Sequence, residues 1–190
     1  LQSQNNQMMI LAEQDLVLQL KNPDTRDHAF DHLVRHYQRM LYFHIRRLVI
    51  DHNDADDVLQ NTFLKAWRYI ERFRGEAALK TWLYRIATNE ALSFLKSRNR
   101  QMHQDVDNIQ NDLKHSLEQG RYIDGDEIQM ALQKAILTLP ERQRAVFNMR
   151  YFDEMKYDEI SEVLEVSVGS LKASYHHAVK KIEKSLASND

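Results

Sequence analysis

Only two prolines and four glycines interrupt 190 residues, so the chain has almost nothing with which to break a helix. Its apolar residues recur at helical rather than alternating spacing, which gathers them on one side of a helix. From Phe30 to Val49 the set Phe30, Leu33, Val34, Tyr37, Leu41, Ile45, Leu48 and Val49 follows a single helical face. The acidic turn Asp51-His52-Asn53-Asp54 comes next. Asn53 or Asp54 can cap a second helix there, and acids in its first turn suit the helix dipole. That helix, expected from Ala55 to Ile70, buries Ala55, Val58, Leu59, Thr62, Phe63, Ala66, Trp67 and Ile70. After a break at Phe73-Arg74-Gly75, a third helix from Leu79 to Leu95 carries Trp82, Leu83, Ile86, Ala87, Leu92 and Leu95 inward. These helices can close one core.

The pattern then stops. Residues 98–126 hold no lasting stripe and are read as a flexible linker between a domain over 8–97 and a domain over 127–187. Its later part is acidic, with Asp105, Asp107, Asp112, Glu118, Asp124, Asp126 and Glu127 against Lys114 and Arg121. Two readings stand: a solvated linker, or an acidic strand that imitates nucleic acid inside a positively charged channel. Periodicity returns with Ile128, Ala131, Leu132, Ala135, Ile136 and Leu139, and Pro140 suits the first turn of a further helix. The expected fold is all-α, two helical domains joined by a linker.

Composition narrows the chemistry. With no cysteine, disulfides, thiolate catalysis and cysteine-based zinc sites are excluded. No apolar run reaches the roughly 18 residues that a membrane span needs, and Leu1 to Gln7 lacks the order of a signal peptide. The expectation is a cytoplasmic protein without membrane insertion. The net charge of −2 hides any basic surface in the average, so charge has to be located segment by segment.

The strongest local motif runs from Tyr157 to Lys172. A first helix turns Tyr157, Ile160, Val163 and Leu164 inward. The tight turn Glu165-Val166-Ser167 follows, with Glu165 where many such motifs carry glycine. Ser167 can accept from the free amides of a second helix, which buries Leu171, Tyr175, Ala178 and Ile182. Gly169, Ser170, Lys172, Ala173, His176, His177 and Lys180 are left on its outer face. This is helix-turn-helix geometry, in which small leading residues approach phosphate and lysines hold the DNA backbone. A plain helical hairpin with a basic face is the competing reading.

Glu71 to Arg100 is also locally basic, through Arg72, Arg74, Lys80, Arg85, Lys96, Arg98 and Arg100. Phe73, Trp82, Tyr84 and Phe94 are interleaved. Basic groups attract phosphates, and aromatic walls receive unstacked bases. For Trp82 and Phe94, core packing is the stronger reading.

Together these segments resemble a family. Asp54 to Trp67 is similar to the polymerase-binding helix of sigma factors. Phe73-Arg74-Gly75 through Thr81 to Asn89 is similar to their promoter-melting segment. Leu139-Pro140-Glu141-Arg142-Gln143-Arg144 with the helix-turn-helix resembles their C-terminal domain. The order matches the sigma-70 family, and the two-domain form resembles its extracytoplasmic-function group. The resemblance implies that core RNA polymerase is the partner, through its beta-prime clamp helices and beta flap. Asp54, Asp57, Gln60, Asn61 and Leu64 are the implied polymerase contacts, and many members carry an acid at the place of Asn61. It assigns Arg72, Phe73, Arg74, Gly75, Arg85, Asn89, Ser93 and Lys96 to the minus ten element of promoter DNA. Gly169, Ser170, Lys172, Ala173, His176, His177 and Lys180 fall to the minus thirty-five element. Family members often carry arginines along that last helix. Lysine lacks the bidentate fork that reads guanine, so a less guanine-dependent upstream sequence is expected. An anti-sigma factor is a further implied partner.

Two rivals are weighed. A stand-alone helix-turn-helix regulator needs a sensor or dimerisation domain in front, where the Asp54-to-Asn89 block stands instead. A metal enzyme could use His28, His32 and His36, which share a helix face, but no matching carboxylates accompany them. No nucleophile triad, phosphate-cradling loop or catalytic acid pair is present. The chain is expected to be no enzyme and to need no cofactor or metal.

Overall fold

The computed structural model describes residues 13–101 and 127–187, and every regular element among the described residues is helical. Residues 13–21 form α1. Next come α2 (Arg26–Val49), α3 (His52–Tyr69), a 3₁₀ turn (Ile70–Arg72) and α4 (Leu79–Gln101). The second half holds α5 (Glu127–Leu137), α6 (Glu141–Tyr151), α7 (Tyr157–Leu164) and α8 (Val168–Ala187). The all-α expectation holds. The third helix runs on to Gln101, and the rest of the acidic linker, from residue 102 to 126, lies outside the described residues.

The first-half core is the stripe anticipated for α2. Leu33, Tyr37, Leu41, Ile45 and Leu48 are buried against Ala55, Val58 and Ala66 of α3 and Leu83, Tyr84, Ala87 and Ala91 of α4. Each large side chain taken fully out of water contributes about 1.5–3 kcal/mol. α1 had no sequence stripe to announce it. It carries only Leu16, Val17 and Leu20 toward the core, and it is held by tertiary contacts rather than by its own propensity.

The α2–α3 corner departs from expectation. Asp51, not Asn53 or Asp54, caps α3, its carboxylate accepting from the amides of Asn53 (2.8 Å) and Asp54 (3.1 Å). Just before it Ile50 lies at φ 71°, ψ −44°, with Asp51 N–H bonded to the Val49 carbonyl at 2.9 Å. This is a γ-turn with positive φ, strained for a β-branched residue by about 1–3 kcal/mol. Burial of the Ile50 side chain and the Asp51 cap hold it in place.

In the second half, Pro140 stands one residue before α6, as its cap, rather than inside its first turn. α6 is buried almost all round, from Arg144 through Met149. Arg144 is among these, and burial pulls its guanidinium pKa down while Glu141 opposes the shift. A smaller core joins Ala135, Ile136 and Leu139 to Phe147 of α6 and to Ala178 and Ile182 of α8.

The halves are packed together. α7 lies on α4 and α6 on the end of α2, so Met149, Met155, Ile160 and Val163 share the larger core with the first-half helices. A polar cluster sits in this seam. Asp153, in the α6–α7 turn, accepts from His44 Nδ1 at 2.8 Å and from Arg47 at 2.9 Å. The Thr88 hydroxyl donates to the Tyr84 carbonyl at 2.7 Å and stands 2.9 Å from His44 Nε2. His44 is wholly buried, and its ring lies 4.8 Å from that of Tyr84.

Candidate polymerase and promoter interfaces

On α3 the buried residues Ala55, Val58, Thr62 and Ala66 fix which side faces out. The outer side presents Asp57, Gln60, Asn61 and Leu64 in one exposed stripe, with Leu64 48% exposed. Helical spacing makes this a continuous strip, polar with one apolar tip. Asp54 differs from the other four. It is half-buried and bonded to Arg98 of α4 at 2.7 Å. Burial raises its carboxyl pKa, Arg98 lowers it, and Asp51 and Asp57 raise it further. Asp54 therefore ties α3 to α4 beside the strip.

The segment after α3 is a short exposed loop. Arg72, Arg74, Gly75 and Glu76 face solvent, and Gly75 has φ +74°. Nothing lies within 4 Å of where a Cβ would stand, so the glycine serves the left-handed turn and not close packing. Phe73 is the exception among the basic-loop residues. It is 5% exposed and its ring packs 5.2 Å from Trp82. It anchors the loop from beneath. Asn89, Ser93 and Lys96 are exposed along one face of α4, as their spacing required. Arg85 is half-buried and faces Glu165 of the second half at 3.8 Å.

The helix-turn-helix forms as read. Lys156 N–H bonds to Glu159 at 2.7 Å at the start of α7. The Ser161 hydroxyl donates to the Val166 carbonyl at 2.6 Å and closes the turn. Glu165 adopts φ 56°, ψ 43°, which is why glycine is common at such a place. Ser167 Oγ accepts from Ser170 N–H at 3.2 Å, the anticipated cap of α8. Leu171, Ala178 and Ile182 are buried, and Tyr175 is half-buried with its ring stacked 5.7 Å from Phe147. Gly169, Ser170, Lys172, Ala173, His176, His177 and Lys180 are all exposed on the outer face. The arrangement is a cationic ridge able to enter a groove and hold phosphates.

His28, His32 and His36 are exposed on α2, and among the described residues no group of three or more metal-binding side chains is placed to hold an ion. Sequence reasoning missed Glu13, Arg26 and Asp153. Their partners lie far along the chain, and no local pattern marks them.

Comparison with known proteins gives one answer for both halves. Residues 33–101 match the family model of sigma-70 region 2, and residues 129–182 match that of sigma-70 region 4. The RNA polymerase sigma-H factor of Pseudomonas aeruginosa is 36% identical over 188 residues, 94% of this chain and 96% of that protein. The ECF RNA polymerase sigma-E factor of Haemophilus influenzae is 31% identical over 194 residues, 93% of this chain and 96% of that protein. Among solved structures, the sigma factor RpoE in complex with the anti-sigma factor NepR from Bartonella quintana superimposes with a TM-score of 0.65. It shares 22% identity and covers 85% of this chain and 98% of its own. A stand-alone regulator has no place for the region 2 match over the front half. The chain belongs to the sigma-70 family of RNA polymerase sigma factors, in the ECF (extracytoplasmic-function) group.

Proposed function

We propose that this sigma factor docks on core RNA polymerase through the α3 strip Asp57, Gln60, Asn61 and Leu64, with Asp54 bracing it, and reads promoter DNA at two places. Arg72, Arg74 and Gly75 receive the displaced strand of the minus ten element, and Asn89, Ser93 and Lys96 hold it along α4. The α8 ridge of Gly169, Ser170, Lys172, Ala173, His176, His177 and Lys180 reads the minus thirty-five element. The observation that carries this reading is the coincidence of exposure and order: apart from half-buried Asp54, these residues are exposed on surfaces within the two matched regions. Phe73 acts by packing under the loop, and Arg85 joins the DNA set only when it parts from Glu165.

The chain does no chemistry of its own, since the polymerase makes the phosphodiester bonds. No described helix is long and apolar enough to cross a membrane, and the protein works in the cytoplasm, where the polymerase and the chromosome are. An anti-sigma protein holds it inactive until an envelope or environmental signal arrives. The complex of Bartonella quintana RpoE with NepR supports that step.

The test is transcription in vitro with core polymerase on a library of genomic fragments, with a housekeeping sigma factor as competitor. Defined start sites are expected, lost on Arg72→Ala/Arg74→Ala or Lys172→Ala/Lys180→Ala substitution. Folded protein that directs no start site and does not compete for core overturns the reading.

A further inference from the structure

The loop assigned to the minus ten strand is pinned at both of its ends by residues that precede the region 2 match at 33–101. At its entry stands Arg26, on the first turn of α2. Its guanidinium bonds to Glu71 in the 3₁₀ turn at 2.6 Å and donates to the backbone carbonyl of Trp67. It also lies 4.1 Å from the centre of the Trp67 ring, which Phe30 meets edge-on at 4.9 Å. The Trp67 carbonyl lies in the last turn of α3, where a cation suits the helix dipole. At the loop's exit stands Glu13 of α1. Its carboxylate accepts from the Leu79 amide, the first of α4, at 2.7 Å. That amide is one of the free donors of a helix start, and the helix-dipole argument now favours an anion.

The two contacts lie 45 and 66 residues apart in sequence, yet they bracket the same short segment. Between them Arg72, Arg74, Gly75 and Glu76 are exposed, and buried Phe73 ties the segment down from below. A loop that must receive an unstacked base benefits from fixed ends, because disorder lost beforehand is not lost on binding. We propose that Arg26 and Glu13 are positioning residues for promoter melting: they hold the two ends of the Arg72–Glu76 loop in the geometry that captures the displaced strand. This rests on the reading of that loop as a promoter contact.

The experiment uses the full chain with core polymerase on the strongest promoter fragment selected from the genomic library. Open-complex formation is followed by permanganate reactivity of unpaired thymines, and core affinity by competition. Arg26→Ala and Glu13→Ala should each slow opening by about tenfold, the worth of one charge-assisted bond, and leave core affinity unchanged. Arg26→Lys keeps the cation but not the fork, and Glu13→Gln keeps an acceptor oxygen, so both should restore part of the rate. In the Arg72→Ala/Arg74→Ala background the Arg26 and Glu13 substitutions should add nothing further, whereas a general loss of fold would add in full. Should either alanine variant fail to fold by circular dichroism, the Lys and Gln variants carry the same comparison. Wild-type opening by all Arg26 and Glu13 variants, with the loop variant defective, overturns this inference alone. Wild-type opening by the loop variant itself overturns the underlying reading.

Discussion

Replacing Asp153 with alanine should part the two halves of the molecule while leaving each folded. The side chain is 5% exposed, and it accepts from His44, which is wholly buried, and from Arg47, which is 21% exposed. Removing the carboxylate leaves the buried His44 Nδ1 without its acceptor, which costs about 1–3 kcal/mol. The Arg47 bond adds little, since that guanidinium can turn to water. The upper end of that range, about 3 kcal/mol, shifts the balance between packed and parted forms on the order of a hundredfold. The chain has no cysteine, so a donor and acceptor dye can be placed cleanly at Arg68→Cys on α3 and Glu183→Cys on α8, both exposed. Energy transfer should fall sharply in Asp153→Ala and less in Asp153→Asn, whose amide oxygen still accepts one bond. Far-ultraviolet circular dichroism should be unchanged. Undiminished transfer in Asp153→Ala, together with an unchanged small-angle scattering radius, would show that the seam is held by its apolar contacts and that the polar cluster is incidental.

Glu165→Gly should raise the melting temperature, by relief of about 1 kcal/mol of left-handed strain, and a lower melting temperature would refute the account of that turn. Asp54→Asn separates stability from function. Its carboxyl pKa is raised in the fold, so the charged form costs stability that grows as pH rises through the carboxylate range. The amide should therefore fold at least as well at neutral pH, while core affinity drops. Tyr37 has its phenol pushed up to about 12 by burial, with Glu13 adding to the shift. The unfolded chain ionises first, so its contribution is intact below pH 10 and fades as pH climbs toward 12, which absorbance at 295 nm during alkaline titration checks. Lys180→Ala should lower promoter affinity evenly across sequences and reduce the salt slope of binding by about one, and a sequence-selective loss would instead make Lys180 a base reader.

The parts of the fold written as local periodicity were legible. The α2 face, the α7–turn–α8 unit and the Ser167 cap need only neighbours within a few residues, and the sequence stripe specifies them. Phe73 shows the limit of that signal. In the string Arg72-Phe73-Arg74 an aromatic between two cations reads as a base platform, but the 3₁₀ turn rotates it inward against Trp82 while its neighbours face water. α6 shows another limit, since it is buried nearly all round and a polar arginine and asparagine sit inside, leaving no stripe to find. The seam was the least legible. His44 lies on the apolar side of α2 among leucines, and only the arrival of Asp153, over a hundred residues later, explains why a histidine is there.

That seam bears on how the two DNA surfaces work together. The turn of the helix-turn-helix reaches Arg85 on α4, so the packed form sets the surface proposed to read the upstream element beside the one proposed to hold the melted strand. The two promoter elements are about 25 base pairs apart by name, which is about 85 Å of duplex at roughly 3.4 Å per pair. No rotation of a packed unit places both surfaces on elements so far apart. On the proposed reading the halves part before both elements are engaged, and the intervening chain has to be long enough to allow it. The 25 residues 102–126 can reach about 90 Å at most, from covalent geometry alone, and the folded halves add their own span, so the reach suffices. On that reading the packed and promoter-bound forms are alternatives, and the His44–Asp153–Arg47 cluster, lost in the second, sets part of the cost of passing from one to the other.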